Sequence, residues 1–298
     1  MIKKILATIF KDEFKENYPL SEFTTFKTGG KADFIVFPKN IEETKEILKI
    51  SNDFALPVLI LGKGSNILIS DKGFKGIVLC TLKLNQIEIL NEKIISEPGV
   101  KLSTLLNVSF KKKLSGLEFL IGIPGTVGGA VLMNAGLKEK WISGKIEKVE
   151  VIDKKNLDTI TLSKNEILFG YRKSGLENYF IWKTHFKLEK NLPEKIKKKL
   201  QFYIREKIKK QPLFLPSAGS IFKNPEGKFA GELIEKCGLK GYKIGNVKIS
   251  EKHANFILNL GNATSSQIYQ LIKLIQNQVK KRYNIELEPE IKIIGEFE

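Results

Sequence analysis

The stretch GLEFLIGIPGTVGGAVLMNAG, residues 116–136, carries the strongest structural signal in the chain. Five glycines stand between positions 122 and 136, more than an ordinary helix interior tolerates, because each costs roughly 1 kcal/mol relative to alanine there. We expect a backbone laid flat against a ligand, beside an apolar wall of Ile121, Ile123 and Val127 suited to an aromatic ring system. The residues expected to offer amide donors are Gly125, Thr126, Gly128 and Gly129. The alternative is a tight packing site between subdomains.

Another glycine-rich segment, LGKGSNILISD, residues 61–71, follows a short apolar run that predicts a strand. In chain order, residues 61–71 are the first glycine-rich segment and residues 116–136 the second. Glycines directly after a strand let backbone amides turn toward a bound anion, because no side chain blocks the approach. The segment lacks the Gly-Lys-Ser/Thr ending of a P-loop and the third glycine of a dinucleotide fingerprint. Such a turn alone is more often structural, but two glycine-rich segments together favour one extended dinucleotide-type cofactor. The candidate diphosphate ligands are Gly62, Lys63, Gly64, Ser65 and Asn66.

Arg172, in FGYRKS, stands out because the chain otherwise uses lysine for positive charge and has only two other arginines. The forked guanidinium suits fixed recognition of a carboxylate or a phosphate. A structural ion pair is the alternative for this residue.

The segment PSAGSIFKNP, residues 216–225, groups the hydroxyl of Ser220, the cation of Lys223 and the amide of Asn224. This set could orient a polyol or a phosphate, although a Ser/Gly turn without chemistry is also possible. A seryl nucleophile would need a neighbouring base, and neither histidine is close in sequence. A hydroxyl that protonates a carbon needs only position and an acidifying neighbour.

The closing segment LEPEIKIIG, residues 287–295, follows Glu286 and places acidic residues at alternate positions. Glu286, Glu288 and Glu290 would share one face of a regular strand, which we expect from Glu290 to Ile294. Acidic residues on a terminal strand are usually solvated. The residues alone therefore assign none of them to catalysis.

Composition excludes several classes of protein. Lys and Arg number 50 against 33 Asp and Glu, a net charge of +17 over 298 residues. The excess is almost entirely lysine, which indicates a compositional bias rather than a nucleic-acid face. Two cysteines and two histidines leave little material for a disulfide framework, a metal site or a Ser-His-Asp hydrolase, and Cys80 fits a core position. The apolar run 5–10 is too short for a secretory segment and no window approaches a membrane span, so we expect a cytoplasmic protein without a membrane partner.

The coarse pattern is mixed α/β. Capping boxes predict helix starts at Asn40, Ser163 and Thr264. The stretch 87–95 predicts a pair of strands that turn at Asn91. The long helix after Thr264 has an apolar face, expected in the core, made of Ile268, Leu271, Ile272, Ile275 and Val279. Pro193 opens a lysine-rich helix running toward Lys210, whose lysines we interpret as a solvated face, and this change of composition is the best candidate for a domain boundary.

In this order, GKGSN, IPGTVGGA with NAG, FGYR, AGSIFKNP and LEPE resemble the UDP-N-acetylenolpyruvoylglucosamine reductase family, from Phe23 to the closing IIG. The resemblance implies an α/β (α+β) fold. Residues 1–190 would form a two-subdomain FAD-binding fold of the vanillyl-alcohol oxidase type, divided into about 1–80 and 81–190. Residues 195–298 would bind substrate, with the last strand, 287–295, returning Glu290 to the flavin site.

The same resemblance implies the reaction. NADPH would reduce a non-covalent FAD, and the reduced flavin would pass hydride to the enolpyruvyl group of a UDP-sugar, a step in peptidoglycan precursor synthesis. Ser220 would donate the proton, while Arg172 and Glu290 would hold the substrate carboxylate as charge develops, which requires Glu290 to be protonated or to act through a donor. Lys223 and Asn224 would bind substrate.

The short interval between Arg172 and Ser220 resembles a subclass without the loop that carries a substrate-clamping tyrosine. Tyr203 and Lys210 are both candidates to replace that clamp. We expect a monomer or weak oligomer. The remaining alternatives are a flavin-dependent oxidase of alcohols or sugars and, from another class, a nucleic-acid binder that uses the positive charge.

Overall fold

The computed structural model describes residues 1–137 and 139–297 of the chain. Within them the α-helices are α1 Ile2–Phe10, α2 Ile41–Asp53, α3 Leu102–Lys111, α4 Val127–Leu132, α5 Pro193–Lys210, α6 Ala230–Lys236 and α7 Ser265–Tyr283. The strands are β1 Phe14–Pro19, β2 Lys31–Val36, β3 Val58–Leu61, β4 Ile67–Ile69, β5 Phe74–Cys80, β6 Ile87–Leu90, β7 Lys93–Ser96, β8 Leu114–Ser115, β9 Gly136–Leu137, β10 Lys140–Trp141, β11 Ile146–Asp153, β12 Thr159–Ser163, β13 Tyr179–Lys187, β14 Glu189–Lys190, β15 Lys243–Ile244, β16 Val247–Ile249, β17 Ile257–Asn259 and β18 Lys292–Ile294.

The chain divides into two compact units that each combine segments distant in sequence. The first unit comprises Met1–Glu16, Phe34–Lys63 and Gly76–Glu206. The second comprises Asn17–Asp33, Gly64–Lys75 and the chain from Lys207 onward. The boundary between the units therefore falls within the glycine-rich segment 61–71. Gly62 and Lys63 belong to the first unit, and Gly64 belongs to the second.

The first unit contains a five-stranded antiparallel sheet in the order β12-β11-β13-β7-β6. β6 and β7 turn at Asn91, whose φ of 56° is the left-handed conformation that asparagine tolerates, as the sequence predicted. A buried apolar cluster joins this sheet to α3 and α4. A second cluster packs α1 and α2 beside the parallel pair β3 and β5, and it buries Leu6 and Phe10 of an N-terminal helix that the sequence pattern did not predict.

Helix α2 begins where its sequence signal places it. The Asn40 side chain accepts a hydrogen bond from the Glu43 backbone N–H at 2.8 Å, and Glu43 Oε2 accepts from the Lys39 N–H. Both contacts satisfy backbone donors that the first helical turn leaves open. The predicted capping boxes at Ser163 and Thr264 are also confirmed.

The second unit is built on α6, α7 and two small sheets, β15-β16-β17 and the parallel pair β18-β4. Helix α7 buries the apolar face that its sequence predicted, made of Ile268, Leu271, Ile272, Ile275 and Val279. Its N-terminus is held by Asp71, whose two carboxylate oxygens accept the backbone N–H groups of Ser265 and Ser266 at 2.8 Å each. An aspartate at this end also complements the helix dipole. None of the helices in the described ranges is both long and apolar enough to cross a lipid bilayer.

Helix α5 has the predicted bounds, but the interpretation of its lysines as one solvated face is wrong at Lys207. That side chain is only 6% exposed, and burial lowers the pKa of Lys207 to about 8. Desolvation disfavours the charged form of an amine, so a lysine in this position costs stability at neutral pH.

Candidate active site

The two glycine-rich segments meet within the first unit. Gly62 follows β3 directly, and a Cβ atom placed on it would lie 2.4 Å from Thr126 Oγ1. Only a residue without a side chain allows this approach. This contact brings together the two segments that the sequence assigned to one cofactor site.

The second glycine-rich segment contains a short helix, so the expectation that its glycines preclude one is wrong. Gly128 and Gly129 lie inside α4, and the Val127 and Gly128 N–H groups donate to the carbonyl oxygens of Val100 and Pro98 at 2.9 Å. The Gly128 amide is thus committed within the fold, and its missing side chain makes room for Pro98, whose Cβ would lie 2.8 Å from a Cβ at position 128. Val127 is fully buried in the core and does not contribute to a ligand-facing wall.

A cavity of about 430 Å³ opens beside these segments in the first unit. Lys63, Lys101 and Gly125 are among the residues that line it. Ile121 and Ile123 provide the apolar wall that the sequence predicted, joined by Leu106, Phe110 and Leu200. Small-molecule sites of this volume are common, and the combination of cations with an apolar wall suits a diphosphate joined to a flat ring.

Arg172 occupies a tight turn closed by hydrogen bonds between Gly170 and Lys173. Its φ of 57° is left-handed, a conformation that this turn position usually reserves for glycine. Non-glycine residues held this way cluster at functional sites. The turn is fixed by Asn134, a buried residue of the NAG motif, whose Nδ2 donates to the Gly170 carbonyl at 3.0 Å.

The rest of the glycine-rich segment 61–71, from Gly64 onward, lies in the second unit and includes Asn66. Gly64 has a φ of 58°, and a Cβ on it would lie 2.1 Å from the carbonyl oxygen of Phe23. Asn66 Nδ2 donates to the Glu290 carbonyl at 3.1 Å, and the Asn66 carbonyl accepts the Lys292 N–H at 3.0 Å. Ser65 stands between them and is half-buried.

The loop that carries Ser220 is held at both ends. Pro216 accepts the backbone N–H of Asn259, and the Ile221 N–H donates to the Asn255 carbonyl, both at 2.9 Å. Gly219, with a φ of 78°, turns the chain just before Ser220. The buried Asn255 side chain also bonds both backbone groups of Phe222. Sequence reasoning missed Asn255 because no local pattern marks a side chain that acts across the fold.

The closing segment departs from the regular strand that the sequence predicted. Residues 286–290 are not in a strand, and β18 begins at Lys292 rather than Glu290. Glu286, Glu288 and Glu290 therefore do not share a strand face. Instead the Glu290 N–H donates to the Ile221 carbonyl at 2.7 Å, which joins this segment to the Ser220 loop.

The two predicted substrate-binding residues have structural partners in the second unit. Lys223 Nζ lies 2.5 Å from Glu288 Oε1, and Asn224 Oδ1 accepts the Ala230 N–H at the start of α6. The candidate clamp Tyr203, in the first unit, accepts a hydrogen bond from Lys140 Nζ at 2.8 Å, which raises the pKa of Lys140.

The structure thus brings the candidates together in two groups. In the first unit, Lys63 and Gly125 line the cavity, and their neighbours in sequence, Gly62 and Thr126, contact each other. Asn134 ties the Arg172 turn to the same glycine-rich segment. In the second unit, hydrogen bonds join Asn66, the Glu290 backbone and the residue after Ser220.

A family model described as an FAD binding domain matches residues 32–156, which include both glycine-rich segments and every residue that lines the cavity except Leu200. The structure of Physcomitrella patens BBE-like 1 shares the fold, with a TM-score of 0.51 at 14% identity over 64% of this chain and 44% of that one. The fold and the family model define the class: this is a protein with an FAD binding domain, built on the mixed α/β fold that the sequence predicted.

A second family model, UDP-N-acetylenolpyruvoylglucosamine reductase C-terminal domain, matches residues 211–294. The enzymes of that name from Caldicellulosiruptor bescii and Caldanaerobacter subterraneus are 46% and 42% identical to it. The alignments cover 96% and 98% of this chain and 92% and 100% of those proteins. The crystal structure of the Thermus caldophilus enzyme matches with a TM-score of 0.82 at 33% identity, over 93% of this chain and 98% of that one. The chain belongs to the UDP-N-acetylenolpyruvoylglucosamine reductase family, which confirms the resemblance seen in its motifs.

Proposed function

We propose that this chain reduces UDP-N-acetylglucosamine enolpyruvate to UDP-N-acetylmuramate for peptidoglycan synthesis, with NADPH as the hydride donor. FAD, when bound, supplies the redox chemistry by taking a hydride from NADPH and passing it to the terminal carbon of the enolpyruvyl group. The family membership supports the reaction, and the residues of the two units support the roles given below.

The residues of the first unit fit the cofactor. The close contact between Gly62 and Thr126 brings the two glycine-rich segments together, so that both can border one cofactor. Lys63 and Lys101 supply positive charge at the cavity wall, and Ile121 with Ile123 supply an apolar surface for a ring. Gly64, Ser65, Asn66, Gly125 and Gly129 complete the proposed cofactor-binding set. Gly128 is kept in it only as the neighbour of Gly129, because its own N–H already donates to the Pro98 carbonyl. The flavin is expected to be non-covalent, because neither glycine-rich segment contains a histidine or cysteine.

Ser220 Oγ would give its proton to the carbon adjacent to the one that receives hydride. Hydride and proton together saturate the enolpyruvyl double bond, and solvent then returns a proton to the serine oxygen. A hydroxyl can do this only if its position is fixed. The hydrogen bonds of Asn255 and Asn259 on either side of the loop provide that fixation.

Arg172 would bind the substrate carboxylate and stabilise the negative charge that develops when hydride arrives. A donor aimed at developing charge lowers the barrier more than it strengthens substrate binding. Glu290 would serve the same developing charge as a protonated carboxyl, because a carboxylate would repel it. Lys223 and Asn224 would contact the sugar nucleotide.

The single observation that carries the proposal is the hydrogen-bonded cluster of the second unit. Asn66 from a cofactor segment bonds the Glu290 carbonyl, and the Glu290 N–H bonds the residue after Ser220. Three motifs far apart in sequence are thus fixed to one another, as a shared reaction centre requires. We further propose that the protein works in the cytoplasm as a monomer or weak oligomer, without a nucleic-acid or membrane partner.

The test is an anaerobic visible absorption spectrum of the purified protein. Flavin bands that bleach with NADPH and return on addition of the enolpyruvyl UDP-sugar would support the donor and the substrate together. Flavin bands unaffected by NADPH but bleached by an alcohol or a sugar would favour an oxidase. Bands that bleach with NADPH and stay bleached with the UDP-sugar would overturn the substrate assignment.

A further inference from the structure

Trp141 lies against the guanidinium of Arg172, a contact that the proposed reaction does not use. The Arg172 Cζ is 5.7 Å from the centroid of the Trp141 ring and 5.3 Å from that of the Tyr171 ring. The two rings meet edge-on, with centroids 5.9 Å apart and an interplanar angle of 80°. Both distances fall within the range of cation–π attraction, which is strongest for tryptophan.

The position of Trp141 is built into the glycine-rich segment. Trp141 pairs with Gly136 across β9 and β10, and a Cβ on Gly136 would lie 2.5 Å from Trp141 Cε3 and 2.3 Å from the Lys140 carbonyl oxygen. A side chain at position 136 would therefore displace the indole. The NAG motif supports the Arg172 turn twice, through Asn134 on the Gly170 carbonyl and through Gly136 on the indole.

We propose that Trp141 is a positioning residue for Arg172: its indole face, with Tyr171, fixes the direction of the guanidinium that binds the substrate carboxylate. Arg172 sits in a strained left-handed turn, so its side chain begins from an unusual backbone direction. Two neighbouring aromatic rings restrict the rotamers of a long side chain, and a ring face attracts the cation without being a hydrogen-bond acceptor of the carboxylate type. This inference rests on the proposed role of Arg172.

The experiment measures the two half-reactions separately in stopped flow, with FAD content and the midpoint of thermal unfolding recorded for every variant. Trp141→Leu is expected to slow reoxidation of the flavin by the enolpyruvyl substrate about 5- to 30-fold, the size of a desolvated cation–π contact. Flavin reduction by NADPH should stay within about twofold, since the reductant does not need the fork. Trp141→Phe, which keeps a weaker ring face, should fall between Leu and the original residue.

The decisive control is a double-mutant cycle with Arg172→Gln, which removes the charge. If Trp141 acts through Arg172, adding Trp141→Leu to Arg172→Gln should change reoxidation by less than about twofold. Trp182→Phe is the matched control, because Trp182 also lies near a cation, Lys183, at 5.9 Å but belongs to another part of the first unit. It should leave both half-reactions near their original rates.

Three outcomes would overturn the inference. Trp141→Leu could slow both half-reactions equally, or its full effect could persist without the Arg172 charge, and either result would mean general packing. Trp141→Leu could also leave reoxidation unchanged while Arg172→Gln slows it. That result would reject the positioning role of Trp141 and keep the proposed role of Arg172. An unchanged Arg172→Gln would instead reject the proposed role of Arg172. If the Leu variant holds no FAD, the cycle is run with Trp141→Phe, for which a smaller loss in the same direction is expected.

Discussion

The Glu290 backbone N–H donates to the Ile221 carbonyl oxygen at 2.7 Å. This bond joins the closing segment of the chain to the residue that directly follows Ser220. Because Asn255 holds Ile221 and Phe222 from the other side, the serine loop has fixed neighbours on two edges. The position of Ser220, the first requirement of a proton donor, is therefore fixed by its loop.

Ser220→Ala should separate the two half-reactions. Flavin reduction by NADPH should stay intact, while reoxidation by the enolpyruvyl substrate should slow roughly 10²- to 10⁴-fold, the usual contribution of a general acid. Single-turnover absorbance at the flavin band measures both steps. Ser217→Ala, on the same loop, is the control and should change neither. Equal slowing of both steps in Ser220→Ala would mean that Ser220 positions the flavin instead.

Glu290→Gln should keep much of the activity, because a glutamine amide can donate a hydrogen bond as a protonated carboxyl does. Glu290→Ala should lose roughly 10- to 100-fold in kcat, since the developing charge then lacks one partner. Steady-state kinetics distinguish the two variants. Glu286→Gln is the control, because Glu286 is exposed and its nearest cation is Lys280 at 3.5 Å. A Gln variant as slow as the Ala variant would contradict the donor role.

Arg172→Lys should lower turnover more than it weakens NADPH binding, because a point charge does not reproduce the guanidinium fork. Reoxidation rates and NADPH titration of the flavin measure the two effects. Arg282→Lys is the matched control, since Arg282 also lies over a tyrosine ring, at 5.7 Å from Tyr283, on helix α7. Unchanged turnover in Arg172→Lys would contradict the proposed role of Arg172 in binding the substrate carboxylate.

Gly62→Ala should weaken FAD binding about 5- to 150-fold, because the added methyl group meets Thr126 Oγ1 and overpacks the contact between the two glycine-rich segments. The dissociation constant comes from fluorescence titration of the apoprotein. Gly144→Ala is the control, because a Cβ there has no neighbour within 4 Å. FAD affinity that is equal in both variants would show that the segments tolerate a wider separation.

Lys207→Met should stabilise the protein at neutral pH. Burial lowers the folded-state pKa of Lys207 to about 8, below the ordinary lysine value of 10.5, so the folded state binds fewer protons between these values. The contribution of Lys207 to the free energy of unfolding therefore rises with pH between about 8 and 10.5. Below about pH 8 the burial of the charged lysine costs its full amount, up to about 3 kcal/mol.

Denaturant unfolding of both proteins at several pH values measures the difference in free energy. The advantage of the Met variant should be largest at pH 7 and shrink steadily as the pH approaches 10. Lys197→Met, on the same helix at an exposed position, should show no such trend. A constant difference across the pH range would mean that Lys207 is charged in the folded state throughout.

Local signals in the sequence predicted what local forces decide. The caps at Asn40 and Thr264, the turn at Asn91 and the buried face of α7 all depend on residues within a few positions of one another. Local signals did not predict helix α4, because glycine has a poor helix propensity. The helix forms because hydrogen bonds to a distant segment, from Val127 to Val100 and from Gly128 to Pro98, override that propensity.

The candidate site follows the same division. Arg172, Ser220 and Glu290 could be named because each lies in a recognisable motif. Asn255 and Trp141 could not, because their partners are more than thirty positions away, at Phe222 and Arg172 respectively. The burial of Lys207 was also beyond the sequence, since a lysine-rich helix gives no sign of which lysine will lose contact with water.

The parallel pairing of β4 with β18 also bears on the order of synthesis. Asn66 is translated 224 residues before Glu290, whose carbonyl its side chain bonds, and its own carbonyl accepts the N–H of Lys292, two residues later still. Over that interval β4 has no parallel neighbour. The glycine-rich segment that contains Asn66 therefore acquires its final hydrogen bonds only after β18 has been made.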